Sequence, residues 1–207
     1  MSVDFIPGDS VDVPEITFKE KMELDAEKTA LIVVDMQNDF VHPEGALFVP
    51  AAEKIVPRVQ RLLRSARSAG VQVAYTQDTH REGDPEWGNW PDHVQVGTWG
   101  WEIVEDLQPL AGELVCPKTR YDGFYGTWLE HYLSRVWKVE NVVIVGTVSN
   151  ICVLHTAASV GLRFFRLVLP ADGVGALTDF GQAMTLRLVS WLYPGGVVRS
   201  TEDVVFV

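Results

Sequence analysis

The chain has 207 residues, 47% hydrophobic and 22% charged, with a formal net charge of −11. That is the composition of one globular domain with a sizeable core, and the acidic balance excludes the Lys/Arg-rich surfaces that bind nucleic acid or anionic membranes. No apolar run approaches the roughly 18 residues of a membrane span, and the acidic start MSVDFIPGDSVD lacks a signal peptide's apolar core. The two cysteines, Cys116 and Cys152, are therefore expected as free thiols in a cytoplasmic protein.

Residues 1–28 are acidic and interrupted by Pro7 and Pro14. They are expected to form an N-terminal extension with a short ordered piece at Ile16–Leu24, ahead of a single domain over 29–207. Thr29–Val34 is an unbroken apolar run, the mark of a strand covered on both faces, and it ends on Asp35. A Gly/Pro-containing loop follows at Asn38–Gly45. Ile55, Val59, Leu62, Leu63 and Ala66 fall at helical spacing within Ala51–Ala69, and Gly70 is placed to stop that helix. Val71–Thr76 predicts the next strand, running into Gln77-Asp78. The loop over 79–100 is rich in Gly, Pro, Trp and acids, and a loop this long in a compact domain points to function.

Glu113–Pro117 predicts a short strand ending near Lys118. Thr127–Val136 predicts a helix with Trp128, Leu129, Tyr132, Leu133 and Val136 on one side. Val142–Val145 predicts a strand, Gly146-Thr147 a turn, and Ile151–Val160 a helix stopped by Gly161. Phe164–Leu169 predicts a strand ending at Pro170-Ala171-Asp172. Asp179–Leu192 predicts an amphipathic helix and Val204–Val207 an edge strand. Strands alternating with helices imply a three-layer α/β/α fold around a parallel sheet. Ligands of such sheets bind outside the carboxyl ends of the strands. Asp35, Asp78, Lys118 and Cys152 each close or follow a predicted strand, so the topology brings them to one edge.

Cys152 is expected at a helix start, where free N–H groups favour a thiolate and can hold an oxyanion. An activated cysteine needs a base. His155 lies three residues on in the same helix and points along its body. Asp35 is the better candidate, because burial at a strand end raises its pKa toward one useful for proton transfer. Lys118 near both would favour the thiolate and hold Asp35 in place. Taken singly, these residues also read as a buried thiol, a loop-capping carboxylate and a solvated lysine; the shared edge gives them weight. Asp78 and His80, two apart after a strand, can face one point, with His93 joining across the loop. Two imidazoles and a carboxylate suit Zn²⁺, Fe²⁺ or Mn²⁺, although two exposed loop histidines are the plainer reading.

Three segments together resemble the isochorismatase-like cysteine hydrolase superfamily: LIVVDMQNDF at 31–40, KTRYDGFYGTWLEHYL at 118–133 and VGTVSNICVLHTA at 145–157. DTH at 78–80, WPDH at 90–93 and GTWG at 97–100 resemble its nicotinamidase/pyrazinamidase branch. The resemblance implies a catalytic trio of Asp35, Lys118 and Cys152. It implies a cis peptide between Thr147 and Val148, and an oxyanion hole of the Val148 and Cys152 amides. It implies a divalent metal, Zn²⁺ first and Fe²⁺ or Mn²⁺ next, on Asp78, His80 and His93. Glu86 is the choice for a fourth ligand by position, with Asp84 and Glu82 as rivals. Phe40 and Trp90 would sandwich a flat heteroaromatic ring. The implied reaction is hydrolysis of nicotinamide to nicotinate and ammonia through a thioester, a step of NAD salvage, by a dimer or tetramer. The alternatives are a carbamoyl or ureido amidase, an isochorismate hydrolase, which needs no cysteine, and a non-catalytic member of the fold. The chain departs from the branch in three places. The loop from His80 to His93 is short, Val94 stands where cysteine is common, and Ser149–Cys152 reads SNIC rather than TD-x-C. Trp99 and Trp101 are expected to pack the loop, and Tyr121, Phe124 and Tyr125 to lie in the core or pocket wall.

Overall fold

The computed structural model describes residues 12–207; the start of the chain, on which the signal-peptide reading rests, lies outside them. In chain order come β1 (Phe18–Lys19), β2 (Met22–Leu24), β3 (Thr29–Val34), a short helix α1 (Asn38–Val41), α2 (Pro50–Ala69), β4 (Gln72–Asp78) and β5 (Leu114–Lys118). Next are α3 (Leu129–His131), β6 (Asn141–Thr147), α4 (Leu154–Leu162), β7 (Arg166–Pro170), β8 (Val174–Gly175), α5 (Asp179–Leu192), β9 (Gly195–Val198) and β10 (Val204–Phe206). The main sheet is parallel throughout, ordered β1-β9-β7-β6-β3-β4-β5, with β8 beside β6.

Alternation within the central strands sends their side chains to two cores. Leu31, Val33, Val143 and Val145 face α2, meeting Ile55, Val59, Leu62 and Leu63. Ile32, Val34, Val142 and Ile144 face the other layer, meeting Leu129 of α3, Ala157 of α4 and Val189 of α5. All six residues of β3 and all seven of β6 are buried, and their inner residues, Ala30–Val34 and Val142–Val145, read as unbroken apolar runs. The expected three-layer α/β/α architecture is the observed one. Helix α2 ends as expected at Gly70, in the left-handed conformation at φ +79°. Among the described residues no helix is long and apolar enough to cross a membrane.

Several local expectations are corrected. The ordered piece expected at Ile16–Leu24 is present, but it is built into the sheets rather than appended: β1 adds an edge strand beside β9, and β2 pairs with β10 in a small second sheet. β10 is therefore not an edge of the main sheet. β9 was not expected, because it begins with Gly195-Gly196, a pair that argues against a strand. At Gly195, with φ +101°, an added Cβ would lie 2.0 Å from the Leu167 carbonyl oxygen, so only glycine lets β9 approach β7. Phe164 is not in β7 but in the turn before it, at φ +63° and 89% exposed. The α3 segment widens into a π turn at Tyr132–Val136, so the helical spacing fails: Leu129 and Leu133 are buried, while Trp128 and Val136 are exposed.

The strand order places β3 between β4 and β6, with the chain winding one way through β4 and β5 and the other way through β6, β7 and β9. A crevice opens at such a reversal, outside the carboxyl ends of the strands. Gly146, at φ +121°, sits there against β3; a Cβ on it would come 2.1 Å from the Val34 carbonyl oxygen.

Candidate active site

Asp35 leaves β3 at φ +48° and is fully buried. Its Oδ1 accepts a hydrogen bond from Thr76 Oγ1 at 2.7 Å, and its Oδ2 lies 2.8 Å from Lys118 Nζ. That second contact is ionic rather than a directed hydrogen bond, so Oδ2 keeps a lone pair to receive a proton. Asp78 and Lys118 are register partners at the last positions of β4 and β5. Their side chains leave the sheet side by side, and Nζ donates to Asp78 Oδ1 at 2.9 Å. The same ammonium donates to Cys152 Sγ at 3.6 Å. One buried cation thus holds two carboxylates and the thiol.

The charges follow from that packing. Burial works against a charged Lys118, but Asp35 and Asp78 outweigh it and hold the ammonium well above the usual lysine range. Burial also pushes Asp78 upward, yet Lys118 and His80 bring its carboxyl down to about 2. At Asp35 burial wins over Lys118 and the pKa is raised, the direction expected for a carboxylate at a buried strand end. Cys152 corrects an expectation. It does not stand ahead of a regular α-helix but inside a π turn, Ser149–Val153, whose preceding residue Val148 accepts hydrogen bonds from the Ile151 and Val153 N–H groups. Burial pushes its thiol up, with Lys118 only partly opposing, which favours the protonated sulfur and calls for a base. His155 is exposed, its Nδ1 2.7 Å from the Ile151 carbonyl oxygen, and does not face the sulfur's partners.

The second constellation assembles on the same edge. One ligand atom each from Asp78, His80, Glu86 and His93 can be chosen so that all lie within 4.8 Å of one another, and all four residues are buried. His80 Nδ1 is 2.9 Å from Asp84 Oδ2, and His93 Nδ1 is 2.7 Å from the Pro91 carbonyl oxygen. A carboxylate and a carbonyl only accept, so each ring carries its proton on Nδ1 and turns Nε2 inward. His80 Nε2 lies 3.3 Å from Asp78 Oδ2 and has no hydrogen-bond partner. Desolvation works against a charge on His80, yet Asp78, Asp84 and Glu86 push its pKa up to about 9, so these oxygens favour a cation in their midst. An orphaned buried nitrogen among convergent carboxylates fits a divalent metal. Glu86 is in the cluster; Asp84 stands behind His80, and Glu82 is exposed in a turn.

A cavity of about 270 Å³ joins the two constellations. Cys152 and Val148 line one side of it, and Asp78, Glu86 and His93 another, with Phe40 and Trp90 in the wall. Trp90 Nε1 donates to the Tyr121 hydroxyl at 3.0 Å, so Tyr121 is pocket wall as expected. Phe124 is core, whereas Tyr125 is 64% exposed. The Thr147–Val148 peptide is cis. Trp101 packs the loop, donating to Thr79 Oγ1, but Trp99 is 47% exposed.

Two supporting residues were not picked out from the sequence. Gln37 accepts a hydrogen bond from the Asp78 N–H and donates to the Asp78 carbonyl, both at 2.8 Å, gripping the strand end that carries the shared carboxylate. Asp39 accepts from the Val94 N–H at 2.6 Å and the Ala46 N–H at 3.0 Å, tying the residue after His93 to the cavity wall. The available signal was the run Gln37-Asn38-Asp39, three polar side chains beginning three residues past the end of a buried strand.

The comparison with known proteins decides the ancestry: the isochorismatase domain matches residues 29–203. The chain belongs to the isochorismatase family. A ureidoacrylate amidohydrolase, RutB, of Caulobacter segnis is 33% identical, over 89% of this chain and 87% of that protein. The structure of N-carbamoylsarcosine amidase from Thermoplasma acidophilum superposes with a TM-score of 0.75 at 36% identity, covering 83% of this chain and 96% of that one. The zinc complex of Pyrococcus horikoshii pyrazinamidase superposes at 0.76 with 29% identity, covering 87% and 99%. This isochorismatase-family chain is an amidohydrolase, acting on amide carbon–nitrogen bonds. Its two thiols are expected to behave differently. Burial raises both thiols, Cys116 to about 12, but Cys116 is fully enclosed whereas Cys152 borders the cavity, so access separates them. Alkylation of the native isochorismatase-family protein, read by mass spectrometry, is expected to mark Cys152 alone, with Cys116 following only in denaturant.

Proposed function

We propose that this amidohydrolase hydrolyses a small planar heteroaromatic carboxamide of the nicotinamide type, through a thioester on Cys152. One observation carries the reading. The histidine–carboxylate cluster opens onto the same cavity as Cys152, beside the aromatic walls of Phe40 and Trp90. A flat ring gains from stacking there in a way an aliphatic amide does not.

Asp35 Oδ2 takes the Cys152 proton, and the thiolate attacks the amide carbonyl. The Val148 and Cys152 N–H groups receive the oxyanion. As the tetrahedral species collapses, Asp35 returns the proton to the departing nitrogen and ammonia leaves. Water, deprotonated by Asp35, then opens the thioester and restores the thiol. Lys118 keeps its charge throughout and offsets the negative charge that moves between Asp35 and Cys152. Asp78, His80, Glu86 and His93 would hold a divalent cation, Zn²⁺ first, which supplies a Lewis acid for a ring nitrogen of the substrate.

A second reading is a carbamoyl or ureido amide substrate, favoured by the similarity to ureidoacrylate amidohydrolase and N-carbamoylsarcosine amidase. Ammonia release from nicotinamide, pyrazinamide, ureidoacrylate and N-carbamoylsarcosine separates the two, with metal content measured before and after a chelator. Turnover of the heteroaromatic amides that falls as metal is stripped is the expected result. Turnover of the ureido compounds alone, unchanged by chelation, would replace the first reading with the second.

A further inference from the structure

Asp84 is not a member of the metal cluster, yet both of its carboxylate oxygens are committed to residues that are. Oδ2 lies 2.9 Å from Nδ1 of the fully buried His80 ring. Oδ1 accepts the Glu86 N–H at 2.9 Å, capping the 3₁₀ turn Pro85–Gly88 that presents the Glu86 carboxylate. Arg120 reaches the same group from two residues beyond Lys118. Its Nη1 is 3.1 Å from Asp84 Oδ1, 3.2 Å from Oδ2, and 3.7 Å from Glu86 Oε2.

We propose that Asp84 is a positioning residue for the metal centre, fixing the His80 ring with its Nε2 lone pair inward and holding the turn that carries Glu86. The inference rests on the reading of Asp78, His80, Glu86 and His93 as metal ligands. A carboxylate can only accept, so Nδ1 carries a proton toward Asp84 and it is Nε2 that faces the cluster, free to give its lone pair to a metal. An amide at this position cannot do both tasks. It has one oxygen, and if that oxygen keeps the cap, its NH₂ faces Nδ1. The ring must then accept there and carry its proton on Nε2, the atom that faces the metal. If the amide flips, the ring is satisfied and the cap is lost.

Two variants separate the tasks. Asp84→Asn can keep the cap, and Asp84→Ser is a good cap too short to reach the ring. Both are expected to bind Zn²⁺ about 10–100-fold more weakly than wild type. The measurement is competition with a chromophoric chelator at 25 °C, on metal-free protein that circular dichroism shows to be folded. With Co²⁺ as the probe, the visible ligand-field band is expected to shift in Asp84→Asn, because the ligand set changes; a purely structural role would leave it in place. Zn²⁺ affinity within twofold of wild type in both variants, with an unshifted Co²⁺ band, would overturn the proposal and leave Asp84 as a cap only. His80→Ala is the control on the underlying reading. If it binds Zn²⁺ as tightly as wild type, the cluster is not the metal site and the proposal falls with it. If it abolishes binding while the Asp84 variants retain it, the metal site stands and only the Asp84 role fails.

Discussion

Replacing Cys152 by alanine is expected to stop ammonia release on whichever amide the wild type turns over, a loss on the order of 10⁶-fold in kcat. The sulfur is the group that lies within reach of the Lys118 ammonium, at 3.6 Å, and borders the cavity with Val148. Its removal leaves Asp35 with no thiol to deprotonate and the carbonyl with no attacking atom. Asp35, Lys118 and the oxyanion donors stay, and they raise the rate of direct water attack only modestly. The fold should tolerate the change. Losing one buried sulfur from a cavity wall costs about 1 kcal/mol, so the melting transition moves little. Cys152→Ser is expected to be nearly as inactive, because a buried hydroxyl is far harder to ionise than a thiol that Asp35 can already deprotonate. A steady-state ammonia assay with circular dichroism decides it. An alanine variant releasing ammonia at the wild-type rate would remove Cys152 as nucleophile, and the mechanism with it.

What the sequence disclosed and withheld divides by the range of the physics involved. β3 and β6 were legible because burial on both faces leaves no polar residue inside them, and α5 because its bounds at Asp179 and Leu192 coincide with a change of pattern. The carboxyl-edge placement of Asp35, Asp78, Lys118 and Cys152 needed only the alternation of strand and helix. Trp128 and Val136 were misplaced because a π turn breaks the 3.6-residue period on which the spacing argument depends. The state of the Cys152 thiol was misjudged for a different reason. A helix start is a local feature, but depth of burial is a property of the whole fold: Cys152 lies inside a π turn, and burial there raises the thiol against the pull of Lys118. Gln37, Asp39 and Asp84 were hidden as supports because their work is done on partners that only the folded chain brings near: Gln37 on Asp78, Asp39 on Val94, Asp84 on the ring of His80. Hydrogen bonds of that kind leave no spacing to read.

Lys118→Met is expected to be the most destabilising single substitution in the site, at about 3–5 kcal/mol near neutral pH. Its ammonium lies 2.8 Å from Asp35 and 2.9 Å from Asp78, and both carboxylates are buried. Methionine fills much the same volume, so the loss is electrostatic: two negative charges remain in a low-dielectric site with no cation between them. The pH dependence identifies this cause. Burial raises the Asp35 pKa even in the wild type, with Lys118 opposing it, so removing Lys118 lifts it further; Asp78 loses one of the two partners that bring it down to about 2 and keeps only His80. Between the unfolded carboxylate value near 4 and the raised Asp35 value, the folded variant binds more protons than the unfolded chain. Its stability must therefore rise as pH falls, and the deficit against wild type should shrink from pH 7 to pH 5. Urea unfolding of metal-free wild type and variant at the two pH values tests both the size and the sign. A deficit that is absent at pH 7, or that stays constant down to pH 5, would mean that Lys118 does not hold two ionised carboxylates together, and the charge assignment of the whole site would have to be redrawn.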